Sequence, residues 1–177
     1  MIKKITEEML YDENWDLEKS VCSKVCTNIF GDMCDYQQRL EESLVGCESP
    51  IEQLLAIELE NITLTGIVSY NPFIDVISIE KQKEIKCGKK TYRVDFYIPV
   101  IYKNQDNIEF IVECDGHEFH QKTKEQVERD NDRMRSLQEQ GYEVIRFSGT
   151  EIWHRPRRCA MDVKNIILSK CKYNEGI

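Results

Sequence analysis

Ile108-Glu109-Phe110-Ile111-Val112-Glu113-Cys114-Asp115-Gly116 is a short apolar run that ends in two acids one residue apart. Period-two alternation puts both acids on the same side of a strand. Upstream, Tyr92-Arg93-Val94-Asp95-Phe96-Tyr97-Ile98 alternates in the same way. Tyr92, Val94, Phe96 and Ile98 are expected on one face, with Arg93, Asp95 and Tyr97 on the other. The polar stretch Lys103–Asn107 between the two runs reads as a turn. A hairpin through that turn would bring Asp95 and Glu113 together at one end. Two carboxylates held close repel each other unless a cation sits between them or one takes a proton. Hard oxygen donors of this kind suit Mg2+ or Mn2+. The plainer reading is a row of solvent-facing acids on a one-sided sheet. It explains less well why Gly116-His117-Glu118-Phe119-His120 follows at once, since a histidine just beyond a carboxylate pair is a candidate general base.

The flanking segments supply the frame for this hairpin. Ser49-Pro50-Ile51-Glu52 starts a helix: serine caps, proline suits the first helical position, and glutamate completes a capping box. Ile51, Leu54, Leu55 and Leu59 are its expected buried stripe. Phe73–Ile79 and Glu84–Cys87 read as strands, with Cys87-Gly88-Lys89-Lys90 as a tight connection. Lys122–Gln140 is a charged helix whose sparse apolar positions are Val127, Met134 and Leu137, and Gly141 stands where a C-terminal cap belongs. Tyr142–Phe147 is a short strand, and a last helix runs from about Pro156 to Lys170. Residues 1–48 are expected to form an N-terminal helical extension, because Val21, Val25 and Ile29, then Met33, Tyr36, Leu40 and Leu44, recur at helical spacing around a break at Gly31. Residues 49–177 then make up an α/β domain, in the order helix, three strands, helix, strand, helix.

Composition narrows the classes. The chain of 177 residues, 41% hydrophobic and 32% charged, can bury a core without disulfides or metals. No apolar run is long enough for a membrane span, and no charged start leads into an apolar stretch. A cytoplasmic protein with no membrane partner is the expectation. Without an export signal, the eight cysteines are expected as free thiols rather than a disulfide framework. Cys22, Cys26, Cys34 and Cys47 contain no CxxC pair and match no common zinc spacing. A net charge of −8 argues against a uniformly basic nucleic-acid coat. Yet Lys81, Lys83, Lys86, Lys89, Lys90, Arg93 and Lys103 face only Glu84 and Asp95 over one stretch, and Arg155, Arg157 and Arg158 form a second basic group. Either group can be a solvated face or a contact for phosphate.

Four segments in order carry a resemblance: Ser49-Pro50-Ile51-Glu52, Arg93-Val94-Asp95-Phe96, Glu113 to His120, and Glu128-Arg129-Asp130 through Gly141-Tyr142-Glu143-Val144-Ile145-Arg146-Phe147. Together they resemble the PD-(D/E)XK nuclease superfamily, nearest to the very-short-patch-repair (mismatch) endonuclease branch and its small bacterial relatives. The resemblance implies a restriction-endonuclease-like αβββαβ core, a mixed sheet flanked by helices. It implies a metal-dependent endonuclease acting on DNA, with RNA left open, and Mg2+ or Mn2+ as cofactor. Asp95 and Glu113 match the metal-binding acids, joined by the backbone carbonyl of Cys114. His120 aligns with the catalytic histidine of the mismatch-endonuclease branch, and Asp115 falls where much of the superfamily has lysine. Glu52 matches an acid on the first core helix, where its capping role is a rival explanation. Arg93, His117, Arg129 and Arg133 are the expected nucleic-acid contacts, although i,i+4 ion pairs explain the helical arginines almost as well. A module that keeps the fold and binds nucleic acid without cutting it is the alternative.

Overall fold

The computed structural model describes residues 41, 43–62, 73–103, 105–116 and 123–171. Helix α1 (Pro50–Ile62) is followed by strands β1 (Ile74–Ile77), β2 (Glu80–Cys87), β3 (Lys90–Tyr102) and β4 (Ile108–Asp115). Helix α2 (Lys124–Glu139), strand β5 (Glu143–Ser148), helix α3 (Gly149–His154) and helix α4 (Pro156–Ser169) complete the order. The helical stripes expected before Leu44 lie outside the described residues. Leu44 and Cys47, however, are fully buried in the same core as α1.

Long β3 organises the sheet. Antiparallel β4 runs along one side of it, and β5 adds to β4 in parallel after the α2 crossover. On the other side β2 pairs with the first part of β3 and β1 with its end, both antiparallel. β1 and β2 thus fill one strand position, interrupted at Ser78 and Ile79, so the expected three positions before α2 are present with the first one split. The result is a five-stranded mixed sheet.

Its two faces are unequal. One buries Phe96, Ile98, Phe110, Val112 and Phe147 against Leu54, Leu55 and Ile57 of α1, Ile152 of α3, and Val163 and Ile167 of α4. Each side chain so enclosed contributes about 1.5–3 kcal/mol of transfer free energy. The other face is smaller: Ile85, Val94, Tyr97 and Ile111 close around Leu137 of α2.

The helix ends follow their local chemistry. Thr123 and Gln126 form a capping box at the start of α2, two residues later than the sequence pattern placed it. At its end Gly141, at φ +93°, donates its N–H to Gln138 O, while Tyr142 N–H reaches Leu137 O. This is the Schellman arrangement, open to glycine because it has no Cβ. Helix α3 is an addition to the expected elements. Ser148 caps it and bonds reciprocally with Glu151, a signal present in Ser148-Gly149-Thr150-Glu151.

Candidate functional site

The acids on β3 and β4 do converge. Cys114 N–H donates to Asp95 Oδ2 at 2.7 Å, which fixes the β3 carboxylate directly beside the end of β4. Glu113, one residue earlier on β4, is buried at 6% exposure. Burial pushes its carboxyl up to about 7, and the nearby negative charge of Asp95 adds to this, while Arg133 and Arg146 pull it down. Burial likewise raises Asp95 above the usual carboxylate range. The Cys114 N–H counters that rise and the charge of Glu52 reinforces it.

Glu52 comes from the first turn of α1. Its Oε1 accepts the Ser49 hydroxyl at 2.7 Å and its Oε2 accepts Glu48 N–H at 2.7 Å, so it closes the helix start on the residue before Ser49 rather than on the Ser49 N–H of the expected capping box. The same Oε2 also accepts Gln82 Nε2 at 2.8 Å, and this amide lies 3.5 Å from Asp95 Oδ1. Glu52 therefore caps its helix and joins the acid cluster at once; the two explanations do not compete.

Asp115, standing where a lysine is usual in the resembled superfamily, forms an ion pair with Arg146 of β5. The cation nearest the carboxylates comes instead from α2. Arg133 Nη2 bonds Glu113 Oε1 at 2.9 Å and also reaches the backbone carbonyl of Arg93. Arg146 was not among the sequence candidates. The signal that could have found it is the parallel register Glu113↔Arg146, which exists only once β5 is placed beside β4. Arg93 pairs with Glu48 at 2.6 Å on an exposed surface. Arg129 is exposed on α2, its Nε bonded back to Glu125 O. His117 and His120 lie outside the described residues.

Gln82 was also missed. Its φ of +52° makes it the one non-glycine residue at positive φ among the described residues. An L-residue pays roughly 1–2 kcal/mol to adopt this conformation. Opposite it, the alternation of β3 slips. Tyr92, Val94 and Tyr97 pack in the smaller cluster while Phe96 and Ile98 pack in the larger one. The expected single face of Tyr92, Val94, Phe96 and Ile98 is therefore broken at Asp95. The period of two fails there although the β2–β3 register is the same on both sides, Lys81↔Phe96 and Lys83↔Val94.

The cluster fits a small hard cation. Its donors are carboxylate oxygens: the charge of Glu52 raises the proton affinity of Asp95, and that of Asp95 raises Glu113's. Among the described residues no three His, Cys, Asp or Glu side chains are gathered closely enough to cage an ion by themselves.

The family model REase_MTES_1575, of restriction-endonuclease-like proteins, matches residues 76–167. That stretch holds Gln82, Asp95, Glu113, Asp115, Arg133 and Arg146, and Glu52 lies outside it. No curated protein and no solved structure matches the chain.

Proposed function

Since the chain belongs to the restriction-endonuclease-like family REase_MTES_1575, we propose that it is a metal-dependent endonuclease of DNA in the style of the mismatch-endonuclease branch. The observation that carries the proposal is the buried Glu113 beside the half-buried Asp95, whose charge raises the proton affinity of Glu113 as that of Glu52 raises Asp95's. Folding energy is spent to hold two acids apart from water, and a divalent cation is what such a pair binds.

Asp95 and Glu113 would hold Mg2+ or Mn2+, with the Cys114 carbonyl as a further oxygen donor. When bound, the ion supplies Lewis acidity toward a scissile phosphate and the attacking water. Arg133 keeps the Glu113 carboxylate oriented through their 2.9 Å contact and adds positive charge where phosphate charge builds up. Asp115 holds Arg146 beside the cluster, so two guanidinium groups stand in for the usual lysine. His120 takes the proton from the attacking water. His117 and the basic β2–β3 arm, with Lys86, Lys89 and Lys90 exposed, contact the phosphate backbone.

A second reading draws on the same contacts. Arg133 on Glu113 and Arg146 on Asp115 already neutralise two acids from within the protein. A nucleic-acid-binding module with no cleavage would need nothing more.

Purified protein is expected to nick or cut DNA with Mn2+ or Mg2+ and to stop when the ion is chelated. Asp95→Ala is expected to abolish cleavage. His120→Ala is expected to slow it by about a hundredfold or more, the range of a general base. Full activity in Asp95→Ala sinks the mechanism. Binding without cleavage across metals and substrates selects the inactive module.

A further inference from the structure

Gln82 lies on an edge strand in a stretch with no sequence signature. Its neighbours are in regular antiparallel register with β3: Lys81↔Phe96 on one side, Lys83↔Val94 on the other. The strand returns to the same register after it, so the left-handed turn of the backbone inserts no residue. Glutamine is also an unusual residue for this conformation. Asparagine and aspartate tolerate it because a short side chain can bond its own backbone, a compensation glutamine lacks. Local chemistry therefore gives no reason for φ +52° at this position. Strained residues of this kind persist where surrounding contacts over-determine them.

The contacts in question are those of its amide. Nε2 donates to Glu52 Oε2 at 2.8 Å and approaches Asp95 Oδ1 at 3.5 Å. A primary amide has two N–H donors, one for each acid. Glu52 is itself anchored by Ser49 and by Glu48 N–H at the start of α1. A single amide thus ties Asp95 of β3 to the first turn of α1. It does so without a charge. Lysine or arginine in its place would neutralise the acids and compete with a cation, whereas an amide holds two carboxylates at a set separation and leaves their negative charge in place.

We infer that Gln82 is a positioning residue: its left-handed backbone places one neutral amide between Glu52 and Asp95, and so sets the geometry of the carboxylates toward a divalent cation. The inference rests on the nuclease reading of the same site. Two substitutions test it. Gln82→Gly relieves the backbone and removes the amide. Gln82→Asn suits the left-handed backbone but is one methylene too short to span both acids.

Three readouts are needed on the full chain: the melting temperature without metal, Mn2+ affinity by calorimetry, and the nicking rate. The melting temperature of Gln82→Gly is expected to stay close to that of the wild type, because released strain offsets lost hydrogen bonds. Mn2+ affinity and nicking are expected to fall tenfold or more in both variants. Wild-type Mn2+ affinity in both variants overturns the assignment. So does a lower melting temperature in Gln82→Gly with unchanged Mn2+ affinity, which would mark the residue as merely structural. A wild-type protein that neither binds Mn2+ nor cuts DNA removes the nuclease reading together with this inference. A wild type that does both beside unaffected variants removes this inference alone.

Discussion

Glu113 shows how one side chain couples stability to function. Free in an unfolded chain, its carboxyl titrates near 4.5; in the folded protein burial first, then the charge of Asp95, lift it to about 7 despite Arg133. Below about pH 4.5 the group is protonated in both states and costs nothing. As pH rises toward 7 the unfolded state ionises first, so the folded state loses stability, and the loss is complete once pH passes the folded value. The change is on the order of 3 kcal/mol. With chelator present, the wild type is therefore expected to be less stable at pH 8 than at pH 5. Glu113→Gln is expected to remove most of that slope, leaving the same-signed remainder from Asp95. Urea midpoints across this range measure it directly, and parallel slopes in the two proteins would show that Glu113 is not the source.

Helix α2 is held by little. Of its sixteen residues only Leu137 is buried, packed in the smaller cluster beside Ile85, Val94, Tyr97 and Ile111. Yet this helix delivers Arg133 to Glu113 and to the Arg93 carbonyl. Packing and site chemistry therefore depend on the same anchor. Leu137→Ala is expected to cost about 2–5 kcal/mol through lost contacts and a cavity. It is also expected to free Arg133, so the amides of α2 should exchange faster and cleavage should slow. A loss below about 1 kcal/mol would show that the ion pairs, not the leucine, hold the helix in place. The cap at Gly141 was readable in advance, and Thr123-x-x-Gln126, which sets the start two residues later than expected, is a signal of the same local kind because both act through bonds to their own neighbours. What the helix covers was not readable, since of Val127, Met134 and Leu137 only Leu137 is buried.

For the molecule as a whole, stability resides on the opposite face. Phe96, Phe110, Leu54, Leu55, Ile57 and Ile98 are all essentially inaccessible there, under α1, α3 and α4. The division leaves the sparsely packed face for the arginines and acids. Phe110→Ala is expected to cost about 3–5 kcal/mol. That is a large part of the 5–15 kcal/mol typical of a domain. A urea midpoint barely moved by the substitution would place the core elsewhere.

The sequence by itself determined most of the elements, α3 excepted, and the pair at the centre of the site. Strand alternation ending in Glu113 and Asp115, the helix start at Ser49-Pro50, and Gly141 after a charged helix are all local signals, and each corresponds to what formed. It also placed Asp95 beside Glu113, because a hairpin brings strand ends together without help from elsewhere. Only the tertiary structure decided the company those acids keep. Arg146 meets Asp115 because β5 lies parallel to β4 after a crossover, and Arg133 reaches Glu113 because α2 packs on that face. Gln82 bends out of its strand toward acids drawn from α1 and β3. These partners are separated from the acids by 13 to 31 residues. Periodicity describes which face a residue takes, not which distant residue will share it; burial and charge choose that partner only when the chain has closed.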